Sequence, residues 1–529
     1  MAAGRSRHSP PPQKTPQTPT ASVAHKTSLA LPLSLTVLLF GISFMPRVHA
    51  TPILSQSFFG AVAVLLLWVA VLHLRRRQDE RATLLETNLR PQHYVQALVQ
   101  LSVFAYWGWY WRPVYDHSTL LLAQIVFAYI FDMLLTWSRR EKYILGFGPF
   151  PIILSTNLFL WFRDDWFYLQ FLMIAVGFLG KEFVRWNRDG RRVHIFNPSA
   201  FSLGLFSLAL LTTGTTSITW AEEIATTLTL APSIYLFLFL VGLVVMYAFS
   251  ITLVAATAAA VLFGLSALYT TATGVPYFID SEIPTAVFLG LHLLVTDPST
   301  SPRTPLGKAV FGILYGITVF GLYAVLGGFG VPTFYDKLLS VPLLNLSVQA
   351  IDRLIQSLTM QATFKRLALA LTRPAANLAH IAVWAVFFTL MALVGATDGR
   401  HRGDSLPFWE EACNNDRRKA CERLLQIEAS YCADASAWAC NELGRHYVSG
   451  DVVEPNREVA LGYFSRACEL RFQAGCLNLL EFDAEHRSDP KLLDLRLLLR
   501  EGGTNLMTME ETAIYARACE HGWMFACRR

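Results

Sequence analysis

Long apolar runs alternate with short polar segments along residues 29–396. The runs begin near residues 29, 57, 93, 118, 144, 166, 197, 233, 251, 283, 308, 335 and 378. A helix that crosses the hydrocarbon core of a membrane needs about 20 mostly apolar residues, and these runs approach that length. The pattern therefore predicts twelve or thirteen membrane-spanning helices, although the runs near residues 93, 283 and 335 are polar or short.

The pattern changes near residue 397, where the apolar runs give way to a charged, Ala-rich segment that carries all eight cysteines. Residues 1–28 are rich in Pro, Thr and Ser, contain basic residues but no acid, and are predicted to be a disordered tail. We therefore predict an all-α fold with a polytopic membrane helix bundle at residues 29–396. A soluble α-helical repeat domain follows at residues 397–529.

Composition supports the assignment to the membrane. Of the 529 residues, 53% are hydrophobic and only 16% are charged, which is too apolar for an ordinary soluble protein of this size. The formal net charge is only +5, and the basic residues lie in short clusters between apolar runs. The predicted partner is the lipid bilayer, and nucleic-acid binding has no support.

The basic clusters predict the orientation of the chain. Positively charged short loops resist translocation, so they stay in the cytoplasm. The basic loops are 75–81, 139–142, 181–192 and 353–373, whereas 212–223 and 277–282 are neutral or acidic. This alternation predicts a bacterial inner-membrane protein with a cytoplasmic N-terminus and a periplasmic C-terminal domain. The string RVHA (47–50) leaves signal-peptide cleavage open as an alternative to an uncleaved anchor.

The cysteines form four pairs, each eight residues apart. They are Cys413 and Cys421, Cys432 and Cys440, Cys468 and Cys476, and Cys519 and Cys527. On one straight helix such a pair would be separated by about 12 Å, whereas a disulfide needs Cα atoms within roughly 4.4 to 6.8 Å. Bonded pairs therefore require a turn between the cysteines. An even number and an external location favour disulfides over free thiols in a cytosolic repeat, and the spacing does not suit a metal site.

The segment 439–476 resembles a Sel-like repeat, a relative of the tetratricopeptide repeat. The matching positions are Leu443, Gly444, Tyr447, Gly450, Val452, Ala460, Tyr463, Ala467, Ala474 and Gly475. The cysteine spacing is similar to that of the cysteine-rich secreted branch of this family, whereas residues 481–503 depart from the pattern. The resemblance implies stacked helix pairs that bind membrane or periplasmic proteins.

Two motifs in the membrane domain occur about 100 residues apart. FNPSA (196–200) places Asn197 and Pro198 at a helix start, where Asn caps free amides and Pro is tolerated. The second is TDPSTSPRTPLG (296–307), and together they resemble NqrB and RnfD, membrane subunits of the sodium-pumping quinone reductase and of the Rnf ferredoxin:NAD oxidoreductase. The resemblance covers about residues 139–355, including YILGFGPFPIILS (143–155) and LLSVPLLNLSVQAID (338–352).

This resemblance implies a bundle of ten-helix type built from two related halves, with flavin cofactors and electron transfer coupled to ion movement. It makes the motif residues candidates for cofactor binding, with helix capping as the alternative. These candidates are Asn197, Pro198, Thr296, Asp297, Ser301 and Thr304. The family also carries flavin mononucleotide (FMN) esterified to Thr in an Asp-x-x-Ser-Gly-Ala-Thr pattern, which this chain lacks.

The nearest string to the flavinylation pattern is TGTT (213–216), which ends in Thr216 but has no Asp. The better interpretation of Thr216 is therefore a polar interhelical loop, and covalent FMN is not expected. Any flavin, FMN or riboflavin, is predicted to bind non-covalently.

Two ionisable residues lie within predicted spans, where a charge costs on the order of 2.5 to 3.5 kcal/mol. Asp132 and His292 are candidates for an ion or proton path. The alternative for Asp132 is pairing with Arg139 or Arg140, and for His292 a hydrogen bond within the bundle.

Two functional hypotheses follow. The first is a membrane protein of the NqrB/RnfD type that takes part in flavin-linked electron transfer, as a translocase-like oxidoreductase subunit with a periplasmic binding module. The alternative is a non-redox scaffold or small-solute transporter of the same fold. No nucleophile elbow or zinc-protease signature supports a hydrolase.

Overall fold

Helices account for nearly all of the regular structure in the computed structural model of the protein. It describes residues 25–26, 29–79, 83–188, 190–279, 281–295, 297–329, 331, 334–357, 373–398, 401–433 and 435–483. The chain divides into two units. The first comprises Met1–Phe263 and Ile283–Gly399, and the second comprises Gly264–Glu282 and Arg400–Arg529.

Sixteen helices are described between residues 30 and 393. They are α1 (Ala30–Ile42), α2 (Pro46–His49), α3 (Pro52–Asp79), α4 (Pro91–Tyr110), α5 (Pro113–Asp116), α6 (Ser118–Arg139), α7 (Pro149–Asn157), α8 (Tyr168–Phe183), α9 (Pro198–Thr213), α10 (Ala221–Thr227), α11 (Ile234–Phe249), α12 (Thr252–Thr273), α13 (Thr285–Leu293), α14 (Pro305–Gly328), α15 (Tyr335–Ser357) and α16 (Arg373–Leu393). A large apolar core of the first unit forms where α1, α3, α6 and α8 meet. The predicted all-α bundle is confirmed.

Six described helices are long and apolar enough to cross a membrane, so the protein is a multi-pass membrane protein. They are α3, α6, α12, α14, α15 and α16. The segment Ala221–Leu230 and the helix Ile234–Phe249 together pass the same test, but they meet at a bend of 101°. The described residues thus contain six or up to seven candidate spans, compared with the twelve or thirteen runs expected from hydropathy.

The difference arises because several apolar runs form helices too short to cross a membrane alone. Helices α7 and α13 have nine residues each, which is a rise of about 14 Å against a hydrocarbon core of roughly 30 Å. All nine residues of α13 are buried. Irregular backbone follows both short helices. At membrane depth, backbone of this kind is tolerated where it is buried in protein or lines a cavity.

Short strands close two polar turns between helices. Strand β2 (Leu84–Thr87) pairs antiparallel with β1 (His25–Lys26) and parallel with β3 (Lys142–Leu145). Strands β4 (Arg185–Arg188) and β5 (Arg191–His194) form an antiparallel hairpin between α8 and α9. This hairpin brings basic side chains to the start of α9.

The second unit contains a series of short helices stapled by disulfides. Its helices beyond residue 400 are α17 (Leu406–Asn414), α18 (Ala420–Ala433), α19 (Ala437–Ser449), α20 (Arg457–Glu469) and α21 (Gln473–Asp483). Bridges join Cys413 to Cys421, Cys432 to Cys440 and Cys468 to Cys476, with Cα separations of 4.7, 4.7 and 4.5 Å. Each bridge links the end of one helix to the start of the next, which confirms the predicted turn. Cys519 and Cys527 lie outside the described residues.

Small residues allow the helices of the repeat to approach closely. A Cβ atom on Gly444 would lie 2.6 Å from the Phe464 ring, and one on Gly475 would lie 2.6 Å from Ala467. Gly450 ends α19 with φ at +70°, a conformation that favours glycine, and Asn456 caps α20 by accepting a hydrogen bond from Val459. The helical hairpin formed by α19 and α20 is therefore specified by the residues that match the Sel-like pattern.

Candidate ligand site

Asn197 organises the start of α9. Its Oδ1 accepts hydrogen bonds from the backbone amides of Ser199 and Ala200 and from the Ser199 hydroxyl. Its Nδ2 donates to the carbonyl of Leu294 at 3.0 Å, at the end of the short helix α13. Pro198 occupies the first helical position, where no amide is needed. The FNPSA motif therefore caps one helix and ties it to the segment that leads into the second motif.

The loop between α13 and α14 is held by buried polar side chains from distant elements. Asn345 accepts from the amide of Asn197 at 3.1 Å and donates to the carbonyl of Thr300 at 3.2 Å. Arg188, in β4, donates to the carbonyls of Ser299 and Ser301 and pairs with Asp352. These contacts satisfy carbonyls that a helix or strand would otherwise pair.

Asp297 faces the hairpin. Its Oδ2 lies 3.4 Å from His194 Nε2, and its Oδ1 accepts from the amide of Ser299 at 2.8 Å. Burial alone would raise the pKa of the Asp297 carboxyl, but the contacts with His194 and Ser299 outweigh burial and lower it. Asp297 is therefore ionised at neutral pH, and its charge is already engaged.

Both motifs line one cavity of about 280 Å³. The second motif contributes Asp297, Pro298 and Ser299, and the first contributes Asn197, Pro198 and Ser199. The rest of the wall comes from α4, α7, α8, the β4–β5 hairpin and α11, together with the residues just before α4 and α7. These lining residues are Arg90, His93, Gln96, Gly148, Pro151, Ile152, Ser155, Lys181, His194 and Phe249. The wall is therefore partly cationic and partly apolar.

The cations of the cavity outnumber the acids. Among the described residues of the lining, Arg90 and Lys181 have no carboxylate within ion-pair distance, and Asp297 is the one acid. Burial and the nearby charges of Arg90 and Lys181 lower the pKa of His93, so its ring is neutral at pH 7. The Nζ of Lys181 lies 5.3 Å from the ring of Phe178, a cation–π contact that leaves it without an anionic partner among the described residues. The cavity therefore presents positive charge to a ligand.

The other candidate cofactor residues lie apart from the cavity wall. Ser301 is buried, and its hydroxyl donates to the carbonyl of Asp297. Thr304 caps α14 by accepting from the amide of Gly307 at 3.0 Å. Thr216 begins a single 3-10 turn after α9 and is not among the lining residues. Thr296 lies outside the described residues.

The two candidates for an ion path lie in different surroundings. Asp132, in α6, accepts a hydrogen bond from the Tyr143 hydroxyl at 3.3 Å, whereas Arg139 and Arg140 pair with Glu182. His292 is fully buried in α13, with its Nδ1 2.7 Å from the Phe288 carbonyl. Neither residue lines the cavity.

A second polar cluster in the first unit is closed and internally matched. His117, Gln124, Asn157 and Gln170 are buried and connected by side-chain hydrogen bonds of 2.7 to 3.1 Å. The His117 ring stacks on Trp161 with centroids 4.2 Å apart. Because its donors and acceptors serve one another, this cluster is typical of bundle packing rather than of a ligand site.

Sequence reasoning missed Arg90, His93, Lys181 and His194 as site residues. Lys181 was visible only as part of the basic loop 181–192, and His194 lies two residues beyond that loop. Arg90 and His93 precede them by about 90 to 100 residues. Their shared role depends on the tertiary contact between α4, α8 and the hairpin. The excess of basic residues in the loop 181–192 was the available signal.

No protein-family profile, curated protein or solved structure matches this chain. Within the part of the chain that the structure describes, no group of three or more His, Cys, Asp or Glu residues is arranged to hold a metal ion. The geometry of the cavity therefore carries the functional argument.

Proposed function

We propose that the protein takes part in flavin-linked electron transfer in a bacterial inner membrane, with a non-covalent flavin bound at the cavity. The proposal includes coupling to ion translocation, for which Asp132 and His292 stay candidates. It also includes the predicted orientation, with a cytoplasmic N-terminus and a periplasmic C-terminal domain.

One observation carries this proposal. The motifs FNPSA and TDPSTSPRTPLG, whose resemblance to NqrB and RnfD first suggested flavin chemistry, border the same cavity although about 100 residues separate them. Asn345 bridges them, since it accepts from the amide of Asn197 and donates to the carbonyl of Thr300. Helix capping alone does not require the two motifs to line the same cavity, so their meeting there favours a role in ligand binding.

The lining offers matched groups for a non-covalent flavin. A bound flavin supplies one- and two-electron redox chemistry, and the protein supplies binding and orientation. Pro151, Ile152 and Phe249 offer apolar contact, whereas Lys181 and Arg90 offer charge to an anionic group. Asn197 and Asp297 hold the backbone around the cavity in place, so their role is positioning.

The repeat unit is proposed to bind a membrane or periplasmic protein. Its stapled helical hairpins present side chains from short, closely packed helices, as in other helical repeat arrays. Disulfides persist in an oxidising compartment, which supports a periplasmic location for this unit.

The test is purification of the full-length protein in a mild detergent, followed by absorbance at about 450 nm and by reconstitution with FMN or riboflavin. We expect a bound flavin that leaves the polypeptide on denaturation, because no covalent link is expected. A chain that takes up neither flavin would overturn the redox proposal and leave the non-redox scaffold or transporter.

A matched pair of variants connects the result to the cavity. Asp297→Asn keeps the size of the side chain but weakens the contacts with His194 and the Ser299 amide. Because these contacts hold the cavity wall in place, we expect weaker flavin retention. Asp352→Asn removes a similar charge that pairs with Arg188 and does not line the cavity. Equal loss of flavin retention in both variants would indicate a general effect on the loop between α13 and α14, and would count against a specific role of Asp297 at the cavity.

A further inference from the structure

We infer that the cavity bordered by Arg90, His93, Lys181 and His194 binds the phosphate group of its ligand and thereby selects a phosphomonoester over the uncharged alcohol. For a flavin, this means FMN over riboflavin. The choice of flavin as the probe rests on the proposed function, whereas the charge preference rests on the cavity alone.

The first step of the argument is the charge of the wall. Arg90 and Lys181 carry full positive charges at neutral pH, and neither has a carboxylate within ion-pair distance among the described residues. Cations that line a cavity without acidic partners attract anions, and a phosphate offers three acceptor oxygens. A cavity built only for the uncharged ring and ribityl chain of riboflavin would not need these charges.

The second step concerns the one acid of the lining. Asp297 would repel a phosphate if its charge faced the cavity unopposed. Its two oxygens instead contact His194 and the amide of Ser299. The polar groups of Asn197 are similarly occupied by Leu294, Ser199 and Ala200. Arg90 and Lys181 are therefore the groups left to determine the charge of the ligand.

The third step is size. Ligand pockets usually enclose roughly 300 to 1,000 Å³, and this cavity of about 280 Å³ is at the lower limit. It has room for the phosphate end of a mononucleotide. Charge and size together therefore fit the phosphate end of a small phosphomonoester.

The experiment measures dissociation constants of FMN and riboflavin by quenching of flavin fluorescence. It uses the full-length protein in phosphate-free buffer and neutral maltoside detergent. Charge-assisted hydrogen bonds of about 1.5 to 3 kcal/mol correspond to about tenfold or more in affinity. We expect FMN to bind about tenfold or more tightly than riboflavin. The double variant Arg90→Gln and Lys181→Gln should weaken FMN binding much more than riboflavin binding and so remove this preference.

Two control variants separate a specific site from general charge. Lys181→Arg keeps the positive charge and should keep the preference for FMN. Arg75→Gln with Arg77→Gln removes two exposed charges near the end of α3, outside the cavity, and should also keep it. Loss of the preference in this second pair would overturn the assignment to the cavity.

Two further experiments test other sources of a phosphate group. Isothermal titration measures the binding of inorganic phosphate, and the thermal unfolding midpoint of the protein is compared between nanodiscs of phosphatidylglycerol and of phosphatidylcholine. Equal affinity for FMN and riboflavin would overturn the phosphate inference and leave the flavin proposal standing. If neither flavin binds, but inorganic phosphate or phosphatidylglycerol does so in a way that needs Arg90 and Lys181, the phosphate site stands and the flavin proposal fails. Binding of none of these ligands overturns both.

Discussion

The helix bundle of the first unit and the stapled helices α18–α21 of the second unit achieve order by contacts of very different range. Distant contacts also occur in the second unit, but they join Gly274 and Ile279 to Arg417 and His401, before α18 begins. In the first unit, Asn197 contacts Leu294 and Asn345, which are 97 and 148 positions away in the chain. In the second unit, each described disulfide joins cysteines only eight positions apart. A membrane bundle brings distant short segments together around a cavity, whereas a repeat array is built from neighbours. A site in the first unit therefore depends on many elements of the chain. The loss of stability caused by a substitution in α18–α21 should instead be confined to the neighbouring helices.

The largest effect is expected for Asn197→Ala. The substitution removes the cap of α9 and leaves the Leu294 carbonyl unpaired in a buried place, at a combined cost of about 3 kcal/mol. Hydrogen–deuterium exchange should increase both in residues 197–213 and in the loop after α13, far away in sequence. Asn197→Ser, which keeps a cap acceptor but cannot reach Leu294, should lose about half as much stability. Unchanged exchange in the distant loop would contradict the long-range contact.

A smaller and purely local effect is expected when Cys432 and Cys440 are both replaced by Ala. The bridge closes a loop of eight residues, for which loss of the cross-link costs about 2.5 kcal/mol. Exchange should increase in α18 and α19 of the full-length protein, while peptides of the first unit stay unchanged. Faster hydrogen exchange in α9 of the first unit would contradict the prediction that the effect is local.

A pH-dependent effect is expected in the repeat unit at His446. Burial disfavours the charged ring, but contacts with Asp451 at 3.1 Å and Glu428 at 3.3 Å outweigh burial and raise the pKa of His446 to about 9. Because the folded pKa exceeds the unfolded value of about 6.5, protonated His446 contributes its full stability below about pH 6.5. That contribution declines as the pH rises and is lost once the pH passes through about 9.

The measurement for His446 is local exchange in α19 as a function of pH, corrected for the intrinsic exchange rate. The protection of α19 should fall by on the order of 2 kcal/mol between pH 6 and 10. In His446→Gln the profile should be flat over this range. A wild-type profile as flat as that of the variant would disprove the charged contact.

The smallest effect is expected from a pair of glycine substitutions in one helical hairpin. Gly444→Ala places a methyl group 2.6 Å from the buried Phe464 ring, which we expect to cost about 1.5 kcal/mol. Gly462→Ala places the same group where no atom lies within 4 Å, so helix propensity should stabilise α20 by up to about 1 kcal/mol. Faster hydrogen exchange in Gly444→Ala and slower exchange in Gly462→Ala would support this packing of the hairpin. A change of exchange in the same direction in both variants would contradict it.

The fold class and the local devices could be predicted from sequence because they depend on neighbours. Asn197 with Pro198 predicts a helix start, and the spacing of Cys413 and Cys421 predicts a turn that brings them together. The number of spans could not be counted in the same way. Hydropathy does not distinguish a nine-residue buried helix such as α13 from a full span, because both are apolar.

The candidate site could be predicted only in part. The motifs drew attention to Asn197 and Asp297, and both line the cavity. Arg90 and Lys181 had no motif, and their role became visible only when α4 and α8 were placed beside the same space. Sequence reasoning also treated Ser301 and Thr304 as equivalent to Asp297, whereas the turns of the loop direct them to internal hydrogen bonds.

The sequence by itself determined that this chain lies in a membrane, that residues 406–483 form short helices and that the six described cysteines pair locally. Composition, periodicity and short spacings are enough for these conclusions, because hydrophobic burial and helix geometry act over a few residues. Only the tertiary structure decided which polar residues share a cavity and which satisfy one another. That choice depends on distances between side chains that are about 100 positions apart, such as Arg90, His194 and Asp297, and no local pattern encodes it.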